Sequence, residues 1–384
     1  MSAIHIDLSS WLGIVNLGYK QVIMLLAGMG LIYLGIKRRY EPLLLVPIGL
    51  GILLANIPPV MIAGKPMFST DVYDQNSPLY YLYFGLSSSI YPALIFLGIG
   101  AMTDFGPLLA SPRLIFIGAS AQFGIFTTII LALVFGFNPA QAGSIGIIGS
   151  ADGPSTIFLT SQVAPELIAP IIIAAYSYIA LVPMIQPPIM RLLTTKAERK
   201  IRMRHPPEIN SRLKIIFPIA FFLIGSLISP GATLLLGMLA AGNLLRESGV
   251  TDRLAKTART SITDITTLLI GLCVGASASG ERFLNYKSLL IFGLGAGAFM
   301  VSTASGILFA KLMNLFSKEK INPLIGAAGV SALPDSARVV QSVASEEDRE
   351  NFILIQAMAP NVAGQICSAI CAGVLFGLLG GNNF

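Results

Sequence analysis

Apolar stretches near the length of a bilayer crossing recur along the chain, separated by short polar breaks. They cover 19–36, 41–56, 86–101, 114–137, 165–193, 214–229, 231–245, 264–278, 287–312 and 350–380. A helix of about 20 apolar residues spans the hydrocarbon core of a membrane, so the pattern predicts an all-α polytopic membrane protein with about ten spans. Two Gly-rich segments interrupt it. They read "GSIGIIGSADGPSTIFL" at 143–159 and "GAAGVSALPDSARVV" at 326–340. Both are too short and too broken to span, with Pro139 before and Pro154 within the first, and Pro323 before and Pro334 within the second. Irregular backbone at membrane depth persists only within protein or beside a watery cavity, where its amides and carbonyls find partners. Each is therefore expected to be a re-entrant hairpin, over 138–159 and 322–341.

The two segments also align with each other. "GSIGIIGSAD" (143–152) and "GAAGVSALPD" (326–335) share Gly-x-x-Gly followed at equal distance by Asp, an offset of 335 − 152 = 183 residues. "FNPAQAGSIG" (137–146) precedes the first as "INPLIGAAG" (321–329) precedes the second. The expectation is an inverted repeat of about five spans each with one hairpin per copy, 17–193 and 213–384, joined by a basic loop at 194–212. An odd span count per copy turns the second copy over, a design common among secondary transporters. Residues 1–16, with Ile4, Ile6, Leu8, Trp11, Leu12 and Val15, fit an amphipathic helix lying at the interface and show no cleavable signal.

Composition sharpens this picture. The 384 residues are 54% hydrophobic and 11% charged, with a mean hydropathy of +0.77, and about 25% charge is usual in a soluble domain. The net charge of +6 gathers beside spans: Lys37–Arg39, Lys196–Arg204, Arg246–Arg259 and Lys311–Lys320. That placement fits the positive-inside rule and makes nucleic-acid binding a poor explanation. The basic loops are expected in the cytoplasm and both termini outside. Cys273, Cys367 and Cys371 lie in apolar runs without metal-ligand spacing and read as small hydrophobes.

Asp152 stands out because a charge at this depth costs about 2.5–3.5 kcal/mol on insertion scales and commonly marks an ion pathway. Around it gather oxygen donors: Ser150, Ser155, Thr156, Tyr178, Asn322, Ser331 and Asn361. A hard monovalent cation such as Na⁺ takes such ligands together with carbonyls freed where a helix breaks. Local hydrogen bonding is the plainer reading for each Ser and Thr, and an N-cap for Asn322. Arg338, past the second hairpin tip, suits an anionic group arriving from the cytoplasm, or an ion pair with Asp335.

At these residues the chain resembles the membrane β subunit of the biotin-dependent, sodium-pumping decarboxylases of oxaloacetate, methylmalonyl-CoA and glutaconyl-CoA. The likeness runs over nearly the whole chain and is densest in "EPLLLVPIGLGILLANIP", "SIGIIGSADGP", "INPLIGAAGVSA" and "APNVAG". It implies a membrane subunit that decarboxylates carboxybiotin, carried by a partner, and couples this to Na⁺ export across the inner (plasma) membrane. It implies Asp152, Asn322, Gly326, Ser331, Asn361 and Tyr178 in ion binding, and Arg338, Tyr178 and Ser331 in catalysis, Arg338 also holding the biotin group. Tyr178 and Ser331 are the candidate proton donors. The implied partners are biotin carrier and carboxyltransferase subunits, a small membrane-anchored accessory subunit and further copies forming a trimer. Asp335 departs from the oxaloacetate branch, where that position is apolar, and the loop after the second span is short, both pointing weakly to an acyl-CoA system. The alternative is a secondary Na⁺- or H⁺-coupled carboxylate transporter. A structural scaffold would leave Asp152 unexplained.

Overall fold

The computed structural model describes residues 17–58, 61–62, 65–66 and 68–380; the interfacial helix expected at 1–16 and the terminal 381–384 lie outside it. The described chain is helical apart from one two-residue ladder, β1 (Met61–Ile62) with β2 (Lys65–Pro66).

α1 (Tyr19–Arg38) ends with Lys37 and Arg38 in its last turn, where cations meet the negative end of the helix dipole. A tight turn at Arg39–Glu41, with both of those residues at positive φ, leads into α2 (Pro42–Asn56), whose first position is Pro42. Pro suits that position because its missing N–H has no intrahelical partner there. α3 (Pro78–Ser87) and α4 (Ile90–Met102) meet at a 59° bend. Next come α5 (Gly106–Ala110), α6 (Ile115–Ala121) and α7 (Phe123–Val134). The first broken segment is α8 (Pro139–Gly146), a 3₁₀ turn (Ile147–Ser150) and α9 (Gly153–Val163). α10 (Ile168–Ala180) and α11 (Val182–Leu193) follow, then the short α12 (Lys196–Arg199).

The second half opens with α13 (Ser211–Ile228) and α14 (Thr233–Glu247), followed by α15 (Asp252–Thr257), a π turn (Ala258–Ile262) and α16 (Thr263–Ser277). After α17 (Gly280–Phe283) comes α18 (Tyr286–Phe316), 31 residues long. The second broken segment is a 3₁₀ stretch (Pro323–Gly329), a turn containing a cis Leu333–Pro334 bond, and α19 (Asp335–Glu347). α20 (Leu354–Leu379) closes the described chain.

Six of these helical runs are long and apolar enough to cross a membrane, and eight if each bent pair is one span. That is fewer than the ten expected. The two other stretches, 41–56 and 231–245, form helices of 15 residues, about 22 Å at 1.5 Å per residue. The run 165–193 is one apolar stretch in sequence but bends by 65° at Leu181. Pro183 follows directly, and its ring and missing N–H oppose a continuous helix.

Two groups of helices flank the middle of the molecule. α1, α2 and α16 pack together, with α4 against α14 beside them. The approach of α2 to α16 is backbone to backbone: a Cβ on Gly275 would stand 2.1 Å from the carbonyl oxygen of Ile48. The other group contains both broken segments with α6, α7, α10, α11, α18 and α20. Ion pairs tie the basic loops to one face. Arg191 meets Glu346, Arg199 meets Glu347, Arg202 meets Asp348, Arg204 meets Glu319 and Lys311 meets Glu198. Apolar side chains of α1 and α13, among them Leu26, Tyr33, Leu223 and Leu227, are exposed, as a lipid-facing surface requires.

Candidate functional site

The two broken segments meet at their tips: the Ser331 amide donates to the Ser150 carbonyl at 2.8 Å. At the first tip Ala151 takes a left-handed turn (φ 53°), and Asp152 becomes the N-cap of α9. Pro154 sits in the first turn of that helix, where it fits without cost. An N-cap carboxylate faces the unsatisfied amides and positive dipole end of its helix. Asp152 is 2% exposed. Its Oδ1 accepts from the Ser155 amide at 3.3 Å, and Oδ2 accepts from the Ser155 hydroxyl at 2.5 Å, from Gln365 Nε2 at 2.9 Å and from the Ser368 hydroxyl.

Gln365 and Ser368 lie on α20 and were not among the residues singled out from sequence. A signal for them exists: Asn361, Gln365 and Ser368 stand at i, i+4 and i+7 in an otherwise apolar helix, which puts them on one face. The stripe ties α20 to both tips. Asn361 Nδ2 donates to the carbonyls of Ala328 and Val330, at 2.9 and 2.8 Å, and to Ser336 Oγ, while Gln365 and Ser368 reach Asp152.

Two buried oxygens here have no protein partner: Ser331 Oγ and Asn361 Oδ1. Leaving a buried acceptor unmade costs about 1–3 kcal/mol. Ser331 lines the cavity with the single buried carboxylate of Asp152, and Asn361 bonds the backbone of the second segment beside it, so hard oxygens and one negative charge gather near two helix breaks. That set fits a monovalent alkali ion. Among the described residues no cluster of three His, Cys, Asp or Glu suits a transition metal.

A cavity of about 410 Å³ reaches Asp152. One wall comes from the α2, α4 and α16 side: Glu41, Leu44, Ile95, Met102 and Thr267. The other comes from the broken segments and their neighbours: Ala151–Pro154, Tyr176, Ser331–Asp335, Arg338 and Gln365. Of its exposed lining residues, Met102 and Arg338, the first accepts at its carbonyl from Arg246 of a basic segment. Arg338 is largely solvent-exposed and pairs with Asp335 at 3.2 Å.

Thus Asp152, Ser331 and Arg338 line one cavity, and Asn361 stands behind the second tip. The remaining candidates sit elsewhere. Asn322 is buried, but its amide donates to the carbonyls of Arg199 and Ile201, 2.9 Å each, and its Oδ1 caps the 3₁₀ stretch at the Leu324 amide. Gly326 packs on α18, where a Cβ would stand 2.2 Å from the Gly306 carbonyl oxygen. Tyr178 is buried against Ile148 and Gly295, and its hydroxyl donates to the Phe292 carbonyl. The phenol facing the cavity belongs to Tyr176, packed against Gly153.

The chain matches, over residues 20–379, the model of the family described as the Na⁺-transporting oxaloacetate decarboxylase beta subunit. It is 50% identical over 383 residues to the methylmalonyl-CoA decarboxylase subunit beta of Propionigenium modestum, covering 96% of this chain and 97% of that one. It is 48% identical to the protein of the same name from Veillonella parvula, over 93% and 92%. It is 46% identical to the oxaloacetate decarboxylase beta chain of Klebsiella pneumoniae, over 95% and 96%. With this coverage the chain belongs to the family of Na⁺-transporting decarboxylase beta subunits.

Proposed function

We propose that the chain decarboxylates carboxybiotin at the mouth of this cavity and exports Na⁺ through the site between the two tips. The observation that carries the proposal is Asp152, buried where the broken segments of both halves meet and joined by unpartnered oxygens from the second half. Na⁺ is the cargo. Asp152, Ser331 and Asn361 hold it, with Ser155 and Ser368 turning hydroxyl lone pairs toward it. The amides of Asn322 and Asn361, the close packing of Gly326 and the anchored ring of Tyr178 fix the geometry of the two segments.

Arg338 receives the carboxylate of biotin arriving on a carrier subunit, because a guanidinium matches a carboxylate in a two-pronged contact. A cavity of this size is typical for a small-molecule ligand. Carboxybiotin supplies the free energy when it loses CO₂, and the residues of this chain supply position and charge. Loss of the carboxylate removes a negative charge from Arg338, leaving it to return to Asp335.

The two halves are an inverted repeat in this reading, with the basic face in the cytoplasm, both termini outside and the chain in the plasma membrane. The partners are biotin carrier and carboxyltransferase subunits, an accessory membrane subunit and further copies of the chain. The substrate system is an acyl-CoA decarboxylase. Alignment to the oxaloacetate chain of Klebsiella pneumoniae needs 416 positions, against 383 for the methylmalonyl-CoA subunit of Propionigenium modestum, so the latter aligns with fewer gaps.

The test is radioactive sodium uptake into inside-out proteoliposomes of the whole complex. Uptake driven by the acyl substrate and stopped by avidin is expected. Sodium or carboxylate movement by this chain alone, unaffected by avidin, contradicts the proposal and favours a secondary transporter.

A further inference from the structure

Decarboxylation of carboxybiotin consumes a proton, and neither Tyr178 nor Ser331 is well suited to supply it. The Tyr178 hydroxyl is spent on the Phe292 carbonyl outside the cavity. Ser331 lines the cavity, but a serine hydroxyl has no acidity near neutral pH. Apart from Asp152, the carboxyl groups lining the cavity are Glu41 and Asp335, and Glu41 feels the charge of Asp335. They come from opposite walls, Glu41 from the turn before α2 and Asp335 from the first position of α19.

Two ionised carboxylates repel and offer only acceptors to one another, so their proximity favours a proton on one of them. Burial and the facing Asp335 push the Glu41 carboxyl up to about 7, against the opposing pull of Arg338, which is where a general acid is most effective at neutral pH. The pair is also next to the group that receives the ligand, since Asp335 Oδ1 is 3.2 Å from Arg338. The remaining charged or titratable neighbours are Tyr176 from α10, Asp264 of α16, which shares a neighbouring pocket with Pro42, and the preceding Lys37–Tyr40. The turn that presents Glu41 is held in a left-handed conformation at Arg39 and at Glu41 itself (φ 56° and 35°). Non-glycine residues adopt that conformation at a cost, and such strain clusters at functional sites.

We propose that Glu41 and Asp335 together are the acid that protonates the ureido nitrogen of biotin as CO₂ leaves. This rests on the decarboxylation reading above. The N–C bond breaks with its electron pair remaining on nitrogen, and CO₂ departs. A carboxyl O–H bond of the pair breaks, an N–H bond forms, and the pair is left one charge more negative. A proton from solution restores it.

The experiment uses the assembled decarboxylase complex with Glu41→Gln and Asp335→Asn, each close in shape to the native side chain. Decarboxylation is followed across pH at saturating Na⁺, and infrared difference spectra are recorded at neutral pH. The native rate is expected to fall as pH rises through about 7, where Glu41 loses its proton. Glu41→Gln should slow turnover about 100-fold, the lower range for general-acid catalysis, and abolish that fall. The Na⁺ concentration giving half-maximal rate should stay within about twofold, since neither residue is placed in the ion site. A protonated-carboxyl vibration present in the native protein should disappear in Glu41→Gln. Native rate and an unchanged pH profile in both variants overturn the proposal while leaving the decarboxylation reading standing. A native complex without avidin-sensitive decarboxylation overturns both.

Discussion

Asp152 is held by four donated hydrogen bonds from Ser155, Gln365 and Ser368, and this crowd explains how a carboxylate persists among apolar helices. Its importance was legible in sequence because an acid flanked by long hydrophobic runs is costly. The full donor set was less so, since Gln365 and Ser368 lie more than 200 residues away and meet Asp152 only through the fold. Asn322 shows the opposite case. It is a polar residue in a hairpin motif, as an ion ligand is, yet its amide is committed to the linker carbonyls. Asp152→Asn keeps the shape and removes the charge, and is expected to abolish Na⁺-dependent decarboxylation; retained Na⁺ dependence contradicts its role. Ser368→Ala removes one hydrogen bond to a charged group, a contribution of about 1.5–3 kcal/mol. It should raise the Na⁺ concentration for half-maximal rate at least about tenfold, read from rate against Na⁺ at fixed pH.

The broken segments are held by close backbone contacts and by the linker. Their existence followed from proline and glycine placement in 138–159 and 322–341. That the second begins as 3₁₀ helix did not, because its course is set by packing on α18 rather than by propensity. Gly306 and Gly326 pack so that a Cβ on either meets the carbonyl of the other at 2.1–2.2 Å. Gly326→Ala therefore forces the segment away from α18, with an expected loss of about 1–3 kcal/mol for overpacking, seen as a lower Tm in detergent. An unchanged Tm contradicts that packing. The linker is clamped by the amides of Asn322, Asn351 and Gln356 on the carbonyls of Arg199, Ile201 and Arg204. Charge adds to it: Arg199 and Arg202 hold Glu347 and Asp348 below the usual carboxylate range. A carboxylate with a depressed value contributes stability above its unfolded value of about 4, which is lost as pH falls through the folded one. Pepsin cleavage within 194–212 should thus be slow at pH 4 and quicken below it, and a rate independent of pH relative to an unstructured substrate contradicts the charge contribution.

At the scale of the molecule, the cavity lies between the α2, α4 and α16 wall and the group containing both tips. The apolar pattern made a multi-span helical protein legible, and the ten-span count exceeded the six to eight runs of spanning length because hydropathy does not register the 15-residue limit of two helices or the bend at Leu181. Orientation is tested with Met102→Cys, which is half-exposed and lines the cavity. A membrane-impermeant thiol reagent should label it from the cytoplasmic side alone, the three native cysteines being buried or half-buried; labelling from outside alone reverses the assignment. The central claim is that a sodium ion lodges where the two broken segments meet. The most direct measurement is a density map of the complex in Na⁺, compared with one of the Asp152→Asn complex. A peak bridging the Asp152 carboxylate and the Ser331 hydroxyl is expected, and it should vanish in the variant. A sodium peak away from the two tips, unchanged when Asp152 is replaced, would contradict it.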